Sequence, residues 1–246
     1  MLRLFNADMN RTLRSPAFWI FCLAGAAIVS ILTVVTVQQV QETGPVAWVK
    51  SEEAMIGAIG PILLLQIGLF SLFNQDFKSK IHQAAIGNGV SRPKIVLTKY
   101  FESVAISAIC LLVVYGIVSA VRMVFGVSFT GPQEMEVLVN VASTLATLAG
   151  IFAVLMLPLF LFQNLAVSAL IGIVLSMDLM AGLLNIIQEA TKIDLVKFDF
   201  AHNLQLVTRS IRSGDLTIFP IVMVGVYAVL CIGLGMLAFQ KRELEF

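Results

Sequence analysis

Among long stretches that carry almost no charge, Asp178 stands well inside one, and Arg122 stands in another, a few residues before Gly126. A carboxylate in such surroundings can carry a proton or attract a cationic group, and a guanidinium can pair with it or with an anion. His82 and His202 lie in different polar segments, so neither a histidine metal site nor a Ser-His-Asp triad is expected. Cys22, Cys110 and Cys231 each fall in an apolar stretch without a CxxC pair, where a free thiol behaves as a small apolar residue. Glu52-Glu53 lacks the arginine of a Glu-Glu-x-x-x-Arg protease motif, and no G-x-x-x-x-G-K-[ST] loop is present to cradle nucleotide phosphates. An enzymatic activity within this chain is therefore not expected, and no cofactor or metal is assigned to it.

The elements that must position these residues are apolar helices. Of the 246 residues, 59% are hydrophobic and 13% charged, and the mean hydropathy is +0.94, outside the range of ordinary soluble domains. Six weakly charged stretches stand out, at 17–37, 54–73, 101–125, 138–162, 164–184 and 216–239. At ~1.5 Å per residue each can cross a ~30 Å hydrocarbon core as a helix. The expectation is an all-α polytopic membrane protein, a single transmembrane domain over 1–246 with six spans. The first stretch is too long for a signal-peptide core and lacks a small-x-small cleavage site, so it is read as a retained helix.

Lysine and arginine set the orientation. Arg3, Arg11, Arg14, Lys78, Lys80, Arg92, Lys94, Lys99, Lys241 and Arg242 fall on one side of a six-span chain. Lys50, Lys192, Lys197, Arg209 and Arg212 fall on the other, with Arg122 near its boundary and most of the carboxylates. Both termini are accordingly expected in the cytoplasm of a cell membrane. Leu2, Phe5, Met9 and Leu13 share one stripe of a helical wheel, with Arg3, Arg11 and Arg14 on its flank, which predicts an interfacial amphipathic helix before Ser15-Pro16. Between spans five and six, the apolar residues of 185–215 predict one or two short helices resting in the outer interface. Pro158, Gln163 and Asn164 are assigned to the turn between spans four and five.

The loop between spans two and three has its own pattern. Phe77, Ile81, Ala84 and Ala85 recur at helical spacing opposite Lys78, Ser79 and His82, Gly87-Asn88-Gly89 ends that helix, and Ser91-Arg92-Pro93 starts the next. A short helix held between two spans, with an apolar face towards the cytosol, expects a protein partner.

The segment NQDFKSKIHQAAIGNGVSRPKIVLTKYFES, from Asn74 to Ser103, resembles the corresponding loop of type-2 ABC exporter permeases, and the opening MLRLFNADMNRTLRSPAFWI is similar to their interfacial N-terminal helix. With six spans and a long fifth-to-sixth outer loop, the likeness covers essentially the whole chain. It implies the small stand-alone membrane subunit of an ATP-driven exporter, with ATP and magnesium on a separate ATPase and two identical or related permeases forming the pathway. The coupling helix would use Asp76, Phe77, Lys78, Lys80, Ile81, Ala85 and Arg92, and the substrate would be a peptide, a lipid-like molecule or an amphipathic drug. The likeness does not choose the substrate. A self-contained secondary transporter or channel, or a non-transporting scaffold, remains the alternative.

Asp178 and Arg122 are the pathway candidates. Asp178 must face the bundle or a wet cavity, since lipid exposure would cost about 2.5–3.5 kcal/mol; it either lines a pathway or bridges helices. Arg122 is expected to snorkel to headgroups rather than pair with Asp178. Glu102, at the start of span three, is expected as a solvated boundary carboxylate, with the ATPase or a nearby lysine as the other possible contact.

Overall fold

A computed structural model describes residues 2–39, 45–58, 69, 73, 85–176, 184, 186, 189, 192, 196–215 and 217–241, with no strand among them. The helices are α1 (Leu2–Arg14), α2 (Pro16–Gln39), α3 (Pro45–Ala58), α4 (Arg92–Val124), α5 (Gly131–Phe162), α6 (Leu165–Ser176), α7 (Phe200–Ser213) and α8 (Ile218–Lys241), with a 3-10 turn at Val196–Phe198. Among the described residues four helices, α2, α4, α5 and α8, are long and apolar enough to cross a membrane. The chain is a helical, multi-pass membrane protein. These four helices contain the first, third, fourth and sixth expected spans. The second and fifth are described only in part, by the end of α3 and by α6.

Two helices outrun the bilayer. The 33 residues of α4 and the 32 of α5 each make a rod of about 50 Å against a hydrocarbon core of ~30 Å. One face of α4 is buried along its whole length, through Ile95, Lys99, Glu102, Ile106, Cys110, Val114, Val118 and Arg122. That spacing of three to four residues is a single helical stripe. It is charged at both ends and apolar between, so one rod presents Lys99 and Glu102 to one end of the bundle and Arg122 to the other, about 35 Å apart.

α5 is the central helix and touches α3, α4, α6, α7 and α8. Its closest neighbour is α8, because Gly235 lets the backbones meet: a Cβ there would lie 2.9 Å from the Met156 carbonyl oxygen. Pro158 lies inside α5 and is buried, two residues beyond that contact, instead of in the turn assigned from sequence. The turn itself is made by Gln163, left-handed at φ 51°, and by Asn164, whose Oδ1 accepts from the Ala166 amide at 2.9 Å to cap α6. Outward faces of α2 and α8 carry exposed Ile20, Phe21, Leu23, Ile31, Val222, Val226, Val229 and Leu230, as lipid contact requires. On α2, Ser30, Thr33 and Thr36 donate to the carbonyls of Ala26, Val29 and Leu32, so this helix satisfies its own hydroxyls.

The segment between the fifth and sixth expected spans does hold a helix, α7. α7 packs along α5 and α8: Ser210 meets Thr217 at 2.8 Å, and Phe200 meets the Tyr227 ring at 5.7 Å between centroids. Tyr227 is nine residues into α8, which puts the start of α7 about 14 Å along that helix from its first residue. Opposite, a Cβ on Gly150 would come within 2.8 Å of Leu204 Cδ1. The first turn is capped by Asp199, which accepts from the His202 amide at 2.8 Å, and Tyr227 donates to the Phe198 carbonyl at 2.6 Å. These bonds supply partners for backbone groups that hydrocarbon could not satisfy.

Candidate functional site

At the end where α3, α4 and α5 converge, Arg122 is 2% exposed and does not snorkel. The buried stripe of α4 aims it inward, and the turn through Gly126 brings α5 back so that Glu134 Oε1 lies 2.7 Å from Nη2. Glu52 Oε1 on α3 lies 3.6 Å from Nη1, and the Phe129 ring sits under the guanidinium with its centroid 3.5 Å away. Tyr115 donates to Glu134 Oε2 at 2.9 Å. Asp178, the other partner considered for Arg122, lies outside the described residues.

Glu52 is fully buried, and neither of its carboxylate oxygens accepts a hydrogen bond among the described residues. Burial pushes its carboxyl up to about 7; Arg122 pulls the other way and Glu134 adds to the rise. On the neighbouring position burial also raises Glu53, with Glu136 raising it further and Arg212 opposing. In the sequence these carboxylates register only as charges of the outer loops. A charge triad joining three helices, with Arg122 and Glu52 buried and Glu134 partly exposed, needs long-range pairing to be seen.

A polar seam runs from this cluster into the bundle. Asn140, Ser143, Thr144 and Thr147 lie on one face of α5 and meet α7. Arg212 bonds to Asn140 Oδ1 and donates through Nε to Ser143 Oγ at 3.1 Å. Asn140 Nδ2 donates to the Glu53 carbonyl at 3.3 Å, and the Thr147 and Thr208 hydroxyls are 2.9 Å apart. Two cavities flank Arg212. One, of about 350 Å³, is lined by Glu53, Met135, Glu136 and Val139; the other, of about 230 Å³, lies between α5, α6 and α7. The polar residues at i, i+3, i+4 and i+7 inside an expected span were the available sequence signal for this seam.

At the opposite end, the residue expected to be solvated is buried. Glu102 is 0% exposed, with Lys99 Nζ 2.9 Å from its Oε2. The same Nζ reaches Asp8 Oδ2 of α1 at 2.6 Å, and Arg11 stands 3.7 Å from Asp8 Oδ1. α1 is thus tied to α4 through a face that includes Asp8 and Thr12, and the lysine before the third span is a strut between helices. Of the coupling residues, Asp76, Phe77, Lys78, Lys80 and Ile81 lie outside the described residues. Ala85 packs against the core just before the turn at Gly89, φ 84°. Arg92 Nη1 donates to the carbonyls of Phe239 at 2.9 Å and Gln240 at 2.6 Å, closing the C-terminal end of α8 with a cation. The loop base is therefore bolted to the last span.

No protein-family model and no curated protein matches the chain. Fold and site together define a membrane-embedded helical bundle with ion-pair clusters at both ends and a polar seam between α5 and α7.

Proposed function

We propose that the chain is the membrane subunit of an ATP-driven exporter, working as a pair of permeases and coupled to a separate ATPase through the loop after its second span. The observation that carries the reading is α4. It is one uninterrupted rod that starts at the loop proposed to meet the ATPase, is locked there to α1 and α8, and ends in the Arg122 cluster beside the polar seam. A push on the loop would thus reach the far side of the membrane without a hinge within α4. The helix α7 gives the seam a polar wall that a passing solute could use. In this reading the chain has six spans, both termini are cytoplasmic in a bacterial plasma membrane, Asp178 and Arg122 bracket the pathway, and the substrate is a peptide, a lipid-like molecule or an amphipathic drug.

The test is co-purification of an ATPase subunit with the native chain, repeated with Phe77→Asp and Ile81→Asp together. Loss of the ATPase with membrane insertion intact supports the proposal. A solubilised complex holding one copy of this chain, no second permease and no ATPase overturns it. That outcome would favour a self-contained proton-coupled transporter, for which Glu52, buried and titrating near neutrality, is the supporting observation.

A further inference from the structure

The cavity between α5, α6 and α7 has a chemical gradient along its length. Arg209 and Arg212 stand at the end of α7 that joins α8. Thr144, Thr147 and Thr208 follow, and Leu175, Ala201 and Leu204, interleaved with Ser176 and Gln205, line the part near the level of Gly150. Its volume of about 230 Å³ is many times the ~10–15 Å³ that one water needs. Arg212 is hydrogen-bonded to Asn140 and its charge is partly offset by Glu53. Arg209 makes no hydrogen bond or ion pair among the described residues, and it lines a space with no carboxylate among the described residues of its lining. The hydroxyls of Thr144, Thr147 and Thr208 donate to the carbonyls of Asn140, Ser143 and Leu204, so the two guanidiniums are the donors that a tetrahedral phosphate would take up here. A cationic end followed by a part that includes Leu175, Ala201 and Leu204 suits an amphiphile with its headgroup at the arginines and its chain beside the leucines.

We propose that this cavity binds the phosphate of an anionic membrane amphiphile, with Arg209 and Arg212 on the phosphate oxygens, the threonine hydroxyls beside them and the chain leaving past Leu175 and Leu204. The site does not rest on the export reading; a chain that transports nothing can still carry it, and binding is measured without an ATPase.

The experiment uses the full chain purified in a neutral detergent, with thermal unfolding midpoints recorded against phosphatidylglycerol, phosphatidylcholine and inorganic phosphate, and native mass spectrometry to count retained lipid. Wild type should retain one phosphatidylglycerol per chain and gain midpoint saturably, with little response to phosphatidylcholine. Arg209→Gln should weaken that binding about tenfold, roughly 1.4 kcal/mol, without altering the lipid-free midpoint. Thr208→Val, which removes a hydroxyl already donated to the Leu204 carbonyl, should change it little, and Lys94→Gln, a cation removed at the start of α4, should leave it unchanged. Saturation by inorganic phosphate, sensitive to Arg209→Gln, would support the anion site and assign it to a free phosphate group. Equal responses of Arg209→Gln and Lys94→Gln, or equal responses to the anionic and zwitterionic lipids, would overturn the proposal.

Discussion

Lys99 holds two buried carboxylates of different helices, and its removal should be felt in two separable ways. Its Nζ is 2.6 Å from Asp8 and 2.9 Å from Glu102, and the exposures of the three side chains are 1%, 8% and 0%. In Lys99→Met the stem volume is nearly kept, so little packing is lost. What remains are two acids without their shared cation, one of them fully buried. Taking away one partner of a buried pair costs about 3–5 kcal/mol, and part of that is recovered here because Asp8 keeps Arg11 within 3.7 Å. A loss of about 3 kcal/mol corresponds to roughly 6–12 °C in the unfolding midpoint for a chain of this size. The second consequence is local: α1 should detach from α4. In a background without the native cysteines, Thr12→Cys, buried in the parent, should become reactive to a maleimide once Lys99 is Met. Adding Glu102→Gln should restore part of the midpoint but not the protection at position 12, because Asp8 still lacks its lysine. A midpoint within about 2 °C of the parent, with position 12 still protected, would show that the triad does not hold α1.

Two further outcomes follow from the same geometry. Gly235→Ala should cost about 1–3 kcal/mol in thermal unfolding, since its Cβ would meet the Met156 carbonyl oxygen at 2.9 Å, while Gly233→Ala, with nothing within 4 Å, should be neutral or slightly stabilising; equal effects would place the α5–α8 crossing elsewhere. Glu52 titrates at about 7 in the fold against an ordinary 4.5, so its protonated form is the one the fold favours. Its contribution is complete below about pH 4.5 and is lost as pH rises through 7, by up to about 3 kcal/mol. Unfolding midpoints between pH 5 and 8 should therefore fall more steeply for wild type than for Glu52→Gln, and parallel curves would contradict the burial of that carboxyl.

Much of the architecture is legible in the residues themselves. Long apolar runs find α2, α4, α5 and α8 because hydrophobic length is a local property. The breaks at Ser15-Pro16 and Gly87-Asn88-Gly89, and the start of α4 at Arg92, follow from proline and glycine geometry. Pairing is not local. Arg122 near a span boundary reads equally well as a snorkelling cation or as a buried partner, and only the return of α5 brings Glu134 to it. The same holds for Glu102, whose lysine three residues away is visible in the sequence while the third member, Asp8, is not. A helix in the stretch of α7 was legible, but not its packing against α5 and α8, since a polar face suits water and a polar seam alike. The stripe of Asn140, Ser143, Thr144 and Thr147 was the sign that another helix would come to cover it.

The packing of α7 also bears on how the molecule is assembled. A segment carrying Arg209 and Arg212, with Gln205 and Thr208 along it, is a poor membrane span by itself. Its neighbours lie on both sides of it in the chain: Gly150 and the polar seam belong to α5, before it, and the Tyr227 hydroxyl that holds Phe198 belongs to α8, the next segment. The contacts that seat α7 are therefore complete only once α8 has joined the bundle.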